Sequence, residues 1–148
     1  MSIPLPLILD DASLKISTTE LDTDLAELAC VANHIEIAPD TAVTTVDTLC
    51  GSVDLPGATK WALVATLYQS FEPDATEDVL SAAVAVGAAV PFEVIPYKSK
   101  PVGPDNPKFS GKVIPAPYSP INGDAGDTST IELEWGMDGP PIKTVTPV

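Results

Sequence analysis

The sequence predicts a mainly β fold that carries a single α-helix, and three observations lead there. Across Lys60–Tyr68, Trp61, Leu63, Ala65 and Leu67 alternate with Ala62, Val64, Thr66 and Tyr68, the period-two signature of a strand. The period changes once, after Pro73-Asp74, where Leu80, Ala83 and Val84 fall at helical spacing and Gly87 stands where a helix would stop. Elsewhere the chain is rich in Thr, Val and Pro, and its 16 prolines suit edge strands and extended connections rather than central strands.

Taken in order, Ile3–Leu9 reads as a short extended arm closed by Asp10-Asp11, and Ser13–Thr18 as a strand alternating Leu14 and Ile16 with polar neighbours. Leu21, Leu25, Leu28 and Ala32 fall at helical spacing, but Val31, Ile35 and Ile37 alternate with Ala32, His34 and Glu36. Val31–Ala38 is therefore read as a strand in which Asn33 breaks the apolar face. Pro39–Gly57, with Gly51, Pro56 and Gly57 as turn signals, reads as a long hairpin or a mobile loop rather than a packed element. The strand from Trp61 ends near Gln69–Phe71, and the apolar content of both its faces suggests that both are covered. A helix over about 75–86 follows, with Asp74 and Glu77 spaced as a variant capping box.

Val90–Pro96 is a second strand with Phe92 and Val94 on one face, and Lys98–Lys108 is a loop. Extended structure returns over Lys108–Tyr118, and Ser119–Asp127 is a turn cluster containing Asn122-Gly123. In Thr128–Met137, Ile131, Leu133 and Trp135 face one way and Thr130, Glu132 and Glu134 the other. Asp138-Gly139 turns into a last short strand, Ile142–Thr146. Trp61, Leu63, Leu67, Phe92 and Trp135 are the expected core.

The 148 residues make one domain with room for a proper core. Twenty-one acids against 7 bases leave a net charge of −14, which argues against nucleic acid as a bound ligand, because binding it means neutralising phosphates. DNA as something to be repelled stays open. Met1-Ser2-Ile3-Pro4 lacks the basic region of a signal peptide, and its apolar run is too short to span a membrane. Cys30 and Cys50 read as two reduced, buried small hydrophobes rather than a disulfide.

No catalytic, cofactor or metal constellation emerges. His34 is the only histidine, with no nucleophile or carboxylate recognisably paired to it, and reads as a structural or surface residue. Asn122–Asp127 resembles half of a calcium loop but lacks the closing glutamate, so it reads as a plain turn. Enzymatic activity is not expected. Glu132 and Glu134 read either as part of a solvated sheet face or as the lining of a deliberately negative one.

Over its last two thirds the pattern resembles the tail tube (major tail) proteins of long-tailed bacteriophages of the siphophage type. The resemblance rests on the strand Trp61-Ala-Leu-Val-Ala-Thr-Leu-Tyr-Gln-Ser-Phe71, the acidic helix ending in Gly87 and the strand Pro91-Phe-Glu-Val-Ile-Pro96. It continues through Asn106-Pro-Lys-Phe-Ser-Gly-Lys-Val113, the turn Gly123-Asp-Ala-Gly-Asp-Thr128 and Ile131-Glu-Leu-Glu-Trp-Gly136. The resemblance implies a β-sandwich or barrel-like core with one flanking helix. It also implies a single domain with an N-terminal arm (about 1–12), a long loop (about 39–58) and a C-terminal arm (about 138–148).

Six copies would form a ring, rings would stack into a tube, and a negative lumen would let genome DNA slide without specific binding. Glu36, Glu132 and Glu134 are the candidate lumen acids, and Asp47, Gly51, Asp54 and Pro56 the candidate inter-ring loop. Implied partners are the chain itself, a tape measure protein in the lumen, and tail terminator and distal tail proteins at the ends. No cofactor and no membrane insertion are implied. Assembly in the host cytoplasm would deliver the protein to the virion tail. The alternatives are a capsid decoration protein, also small, acidic and β-rich, and an extracellular carbohydrate-binding β-sandwich module. The low aromatic content, 5%, counts against the latter.

Overall fold

Alternation gives the core strands one buried face in a computed structural model that describes residues 6–146. In chain order the elements are β1 (Ser13–Ser17), β2 (Leu25–Glu27), β3 (Ala32–Thr48), β4 (Gly51–Tyr68), α1 (Thr76–Val86), β5 (Val90–Ile95), β6 (Lys108–Val113), β7 (Thr130–Gly136) and β8 (Ile142–Thr144). They form two antiparallel sheets, one of five strands in the order β2-β1-β5-β6-β8 and one of three in the order β3-β4-β7.

The core lies between those sheets and α1. Leu63, Ala65 and Leu67 of β4 pair directly with Trp135, Leu133 and Ile131 of β7, so six apolar side chains share one buried face. Leu14 and Ile16 of β1, Phe92 and Val94 of β5 and Val113 of β6 complete the same cluster. The sheets are stitched at one corner, where the Ile114 N–H donates to Gly136 O (2.7 Å) and the Asp138 N–H to Lys112 O (2.8 Å). The Trp135 indole N–H is satisfied by Ala116 O at 3.1 Å, which permits a full-sized indole in the core.

Helix α1 buries Val79, Leu80 and Ala83 and ends at Gly87, whose φ of 73° is the left-handed cap conformation. Its start differs from the expected capping box. Glu77 does not reach back to Asp74; its carboxylate accepts from Gln69 Nε2 (2.9 Å) and the Tyr118 hydroxyl (3.0 Å). The Asp74 N–H is instead taken by Asp78 Oδ2 at 2.8 Å, and Ala75 is the N-cap. Burial and the Glu77 carboxylate together push the Tyr118 phenol well above its ordinary range, so this tether keeps its proton.

Three expectations change. Trp61 is only partly buried, unlike Leu63, Leu67, Phe92 and Trp135, because it sits where β4 leaves the core. The second face of β4 is not covered by another layer: Ala62, Val64 and Thr66 are half-buried among exposed neighbours. Cys30 and Cys50 are free but exposed, since one lies in a turn between β2 and β3 and the other at a hairpin tip. Of the two readings of 39–57 the hairpin holds: residues 39–58 form an antiparallel ladder rather than a loop, described below. The expected N-terminal arm begins outside the described residues; 6–12 run without regular structure into β1. The C-terminal stretch turns at Asp138-Gly139 and docks β8 onto β6 rather than extending freely.

Leu133→Ala should lower stability by about 2–5 kcal/mol, the cost of a buried leucine truncation. Trp61→Ala should cost less despite removing more atoms. Urea unfolding of both variants tests the difference, and an equal or larger loss at Trp61 would return it to the core.

Candidate functional site

Two features of the three-stranded sheet stand apart from ordinary packing: an acidic face and a hairpin that outruns the body. The first depends on one extra residue. Ala32 pairs with Leu67 on the core side, yet His34 pairs with Thr66 on the opposite side, because Asn33 is an inserted bulge residue. Without it, Ala32 and His34 would share a face. The bulge therefore turns Ile35 and Ile37 inward and His34 and Glu36 outward. Asn33 Nδ2 is held by the Tyr68 hydroxyl at 3.2 Å.

Register then assembles the three candidate acids. Glu36 pairs with Val64, which pairs with Glu134, so two carboxylates flank Val64 across two strand spacings, about 10 Å. In the adjacent row His34, Thr66 and Glu132 align, placing Glu132 two residues from Glu134 on the same face. The next row, Ala38–Ala62–Gly136, is all small. Glu36, Glu132 and Glu134 are exposed; His34 Nε2 lies 3.6 Å from Glu36 Oε1, and farther along the same face Lys60 pairs in register with Asp40. In water such a pair contributes little, and the field over this face is negative.

The second feature is the hairpin. β7 pairs only with Ala62–Tyr68, so from Asp40↔Lys60 outward β3 and β4 have only each other. Every residue from Pro39 to Lys60 is exposed, and about ten residues per strand extend roughly 30 Å beyond the body. A second bulge interrupts the ladder, with Gly57 and Ala58 opposite Ala42. A Cβ at Gly57 would meet Ala42 O at 2.8 Å, so only glycine fits there. At the tip Thr48 pairs with Gly51, whose φ of 123° again requires glycine, leaving Leu49 and Cys50 to turn.

Asp47, Gly51, Asp54 and Pro56 all lie on this ribbon. Asp54 accepts from Thr45 Oγ1 and Asp47 from Ser52 Oγ, each at 2.7 Å, which satisfies the acids on one ribbon face. The other face pairs Val46 with Val53 and Thr44 with Leu55 and is apolar. Leu49 at the tip is wholly exposed. Asn106 had no role in the sequence reading. It is buried, and its side chain bonds the backbone of Tyr97, Lys100 and Pro101, fixing the loop between β5 and β6. An Asn before Pro in a loop rich in Pro and Gly was the available signal. Among the described residues, no group of three or more His, Cys, Asp and Glu side chains is placed to hold a metal ion.

No protein-family model and no curated protein matches the chain. Solved structures do. The chain is similar to a protein in the virion of a native gene transfer agent particle, at 15% identity and TM-score 0.63, covering 91% of this chain and 96% of that one. A protein in the tail of an empty gene transfer agent particle with C6 symmetry matches at 14% identity and TM-score 0.63, with the same coverage. A protein of the sheath/tube terminator of PVC, an extracellular contractile injection system, matches at 10% identity and TM-score 0.65, over 97% of this chain and 100% of that one. The fold is that of tail and tube-complex proteins. The likeness runs almost the full length of each chain, and it agrees with the resemblance carried by the strand and turn motifs.

If the acidic face serves something other than stability, neutralising it should not harm the monomer. A Glu36→Gln/Glu132→Gln/Glu134→Gln variant should unfold within about 0.5 kcal/mol of the parent, or be slightly more stable at low salt as repulsion is relieved. Thermal melts in 20 mM and 500 mM salt test this, and a loss above about 1 kcal/mol would make these acids structural.

Proposed function

We propose that this chain is a structural virion protein that self-assembles into rings stacked as the tail tube of a phage-like particle, with the acidic face toward the lumen. The observation that carries the proposal is the free-standing hairpin. An isolated two-stranded ribbon is marginal in water, and this one also exposes Val43, Val46, Leu49, Val53 and Leu55. A long uncovered strand edge and an apolar tip are liabilities for a monomer and become contacts in an assembly. β3 is the edge of its sheet along 17 residues, so pairing it with a neighbouring copy would extend the sheet around a ring. The C6 symmetry of the similar gene transfer agent tail supports six copies per ring.

In that ring the face bearing Glu36, Glu132 and Glu134 would line the conduit, and its field would oppose adhesion of the DNA backbone during genome delivery. The hairpin, with Asp47, Gly51, Asp54 and Pro56, would cross to the next ring. The tape measure protein would occupy the lumen during assembly, and terminator and distal tail proteins would close the ends. The protein's place would be the virion tail, reached from the host cytoplasm.

Negative-stain electron microscopy of the concentrated protein is expected to show hollow rods or stacked rings of uniform width. A closed trimer would instead indicate a capsid decoration protein. Excising Val43–Pro56 leaves Ala42, Gly57 and Ala58 to turn between the paired Thr41 and Thr59. That variant should stay folded by circular dichroism yet form no stacked tubes; normal tubes from it would remove the hairpin from stacking.

The lumen assignment has its own test. Assembled Glu36→Lys/Glu132→Lys/Glu134→Lys tubes should retain double-stranded DNA in a sedimentation assay at 50 mM salt and release it at higher salt, whereas parent tubes retain none. Equal DNA retention by both would place these residues away from the conduit.

A further inference from the structure

We infer that the hairpin tip of one copy docks into an apolar, lysine-rimmed groove on the body of another copy. This rests on the tube reading and names the surface that receives the hairpin. The groove, about 340 Å3, opens where β3 and β4 leave the core. Ile35, Ile37 and Trp61 form one wall, and Val94 and Phe109 of the larger sheet the other. It is the place where Trp61 stays only partly buried.

The rim is basic. Lys143 pairs in register with Phe109 and so shares the face on which Phe109 lines the groove. Lys98 and Lys100 lie on the loop that continues from Pro96, another lining residue, and the Asn106 bonds hold that loop in shape. Lys100 Nζ sits 4.5 Å from the centroid of the Tyr97 ring, which keeps it beside the loop. Of the acids on this side, Asp11 and Asp10 are engaged or turned away, although Asp11 keeps its charge near Lys98 and Lys100, and Asp105 on the same loop is exposed. Asp11 accepts from the backbone N–H and hydroxyl of Ser99, and Asp10 borders the neighbouring hollow beyond Leu9.

The hairpin tip is the complement. Between Thr41 and Thr59 its charged residues are Asp47 and Asp54, with no lysine, and its exposed side chains include Leu49, Val46, Val53 and Leu55. An apolar knob bearing two carboxylates thus fits an apolar hole bearing three ammonium groups. The tip cannot reach its own groove. Twelve residues separate Ile37 from Leu49 (49 − 37 = 12), and at about 3.3 Å per residue a ribbon holds them about 40 Å apart. Knob and hole on different parts of one surface make a heterologous contact, which propagates instead of closing. With the ribbon along the tube axis, successive rings would then repeat about every 40 Å.

Cys50 at the tip supplies the test. In a Cys30→Ser background, Lys143→Cys places a second thiol on the groove rim, and Ser81→Cys on the exposed side of α1 serves as control. Mild oxidation of the full chain at assembling concentration should give a ladder of disulfide-linked multimers on a non-reducing gel for the position-143 variant. Its yield should exceed that of the position-81 control at least tenfold, and added Leu49→Asp should abolish it. A yield at position 143 no greater than the control overturns the groove as receiver. Hollow tubes in that same sample would show that the tube reading survives the loss, and absence of both tubes and ladder would remove the two together.

Discussion

One strand has to satisfy two environments, and the rest of the molecule is arranged around that. The inner half of β4 is the centre of its sheet, paired on both edges and buried on one face through Leu63, Ala65 and Leu67. Its outer half, from Gly51 to Lys60, has β3 on one edge and, among the described residues, no strand on the other. Burying a leucine contributes about 1.5–3 kcal/mol, so the inner half anchors the fold. The same arithmetic explains why the outer half gains little stability by itself, since Val46, Leu49, Val53 and Leu55 are exposed among the described residues. A body that pairs with seven residues of an eighteen-residue strand leaves the remainder exposed, for the neighbour that the proposed assembly would supply.

Two bulges decide what that neighbour meets. Asn33 rotates the faces of β3 so that aliphatic side chains enter the core and the histidine and glutamate stay outside. Gly57 does the same for the ribbon, whose acid-and-hydroxyl face and valine face are offset from the body below. Each bulge interrupts the ladder locally, and each converts a plain alternation into a surface with a direction. The exposed glutamates repel one another by tenths of a kcal/mol, far less than the core contributes. A negative face is therefore easily carried by this fold.

Identity of 10–15% across nearly whole chains means that few individual side chains are shared with the similar tail and tube-complex proteins. What is held in common is the layout of strands and turns, which depends on alternation and register and tolerates exchange among apolar residues. The charges are a different matter. The acids of the three-stranded sheet and the lysines near the Trp61 groove give this chain's surface one negative region and one more basic region.

How much was legible follows from the same physics. Elements with one buried face announce themselves: β5, β7 and α1 stand where the periods of two and 3.6 put them, and Gly87 ends the helix as expected. Pro39–Gly57 stayed ambiguous between hairpin and loop because the bulge at Gly57 breaks the alternation and the short apolar face is exposed rather than buried. The helix start was misassigned because Glu77 and Asp78 both offer a carboxylate in the first turn, and only the backbone path decides that Ala75 is the N-cap and that Asp78 reaches back to the Asp74 N–H. The cysteines look like core residues by type, whereas their position in turns exposes them. Asn33 was visible as a break, but its effect on the faces of β3 needs a partner strand to be seen. The sequence by itself determined the strands, the helix and the acidity, since these depend on local pattern and composition. Only the tertiary structure decided that Glu36, Glu132 and Glu134 share one face and that Trp61 borders an open groove. Those facts depend on register between segments distant along the chain, which no local pattern encodes.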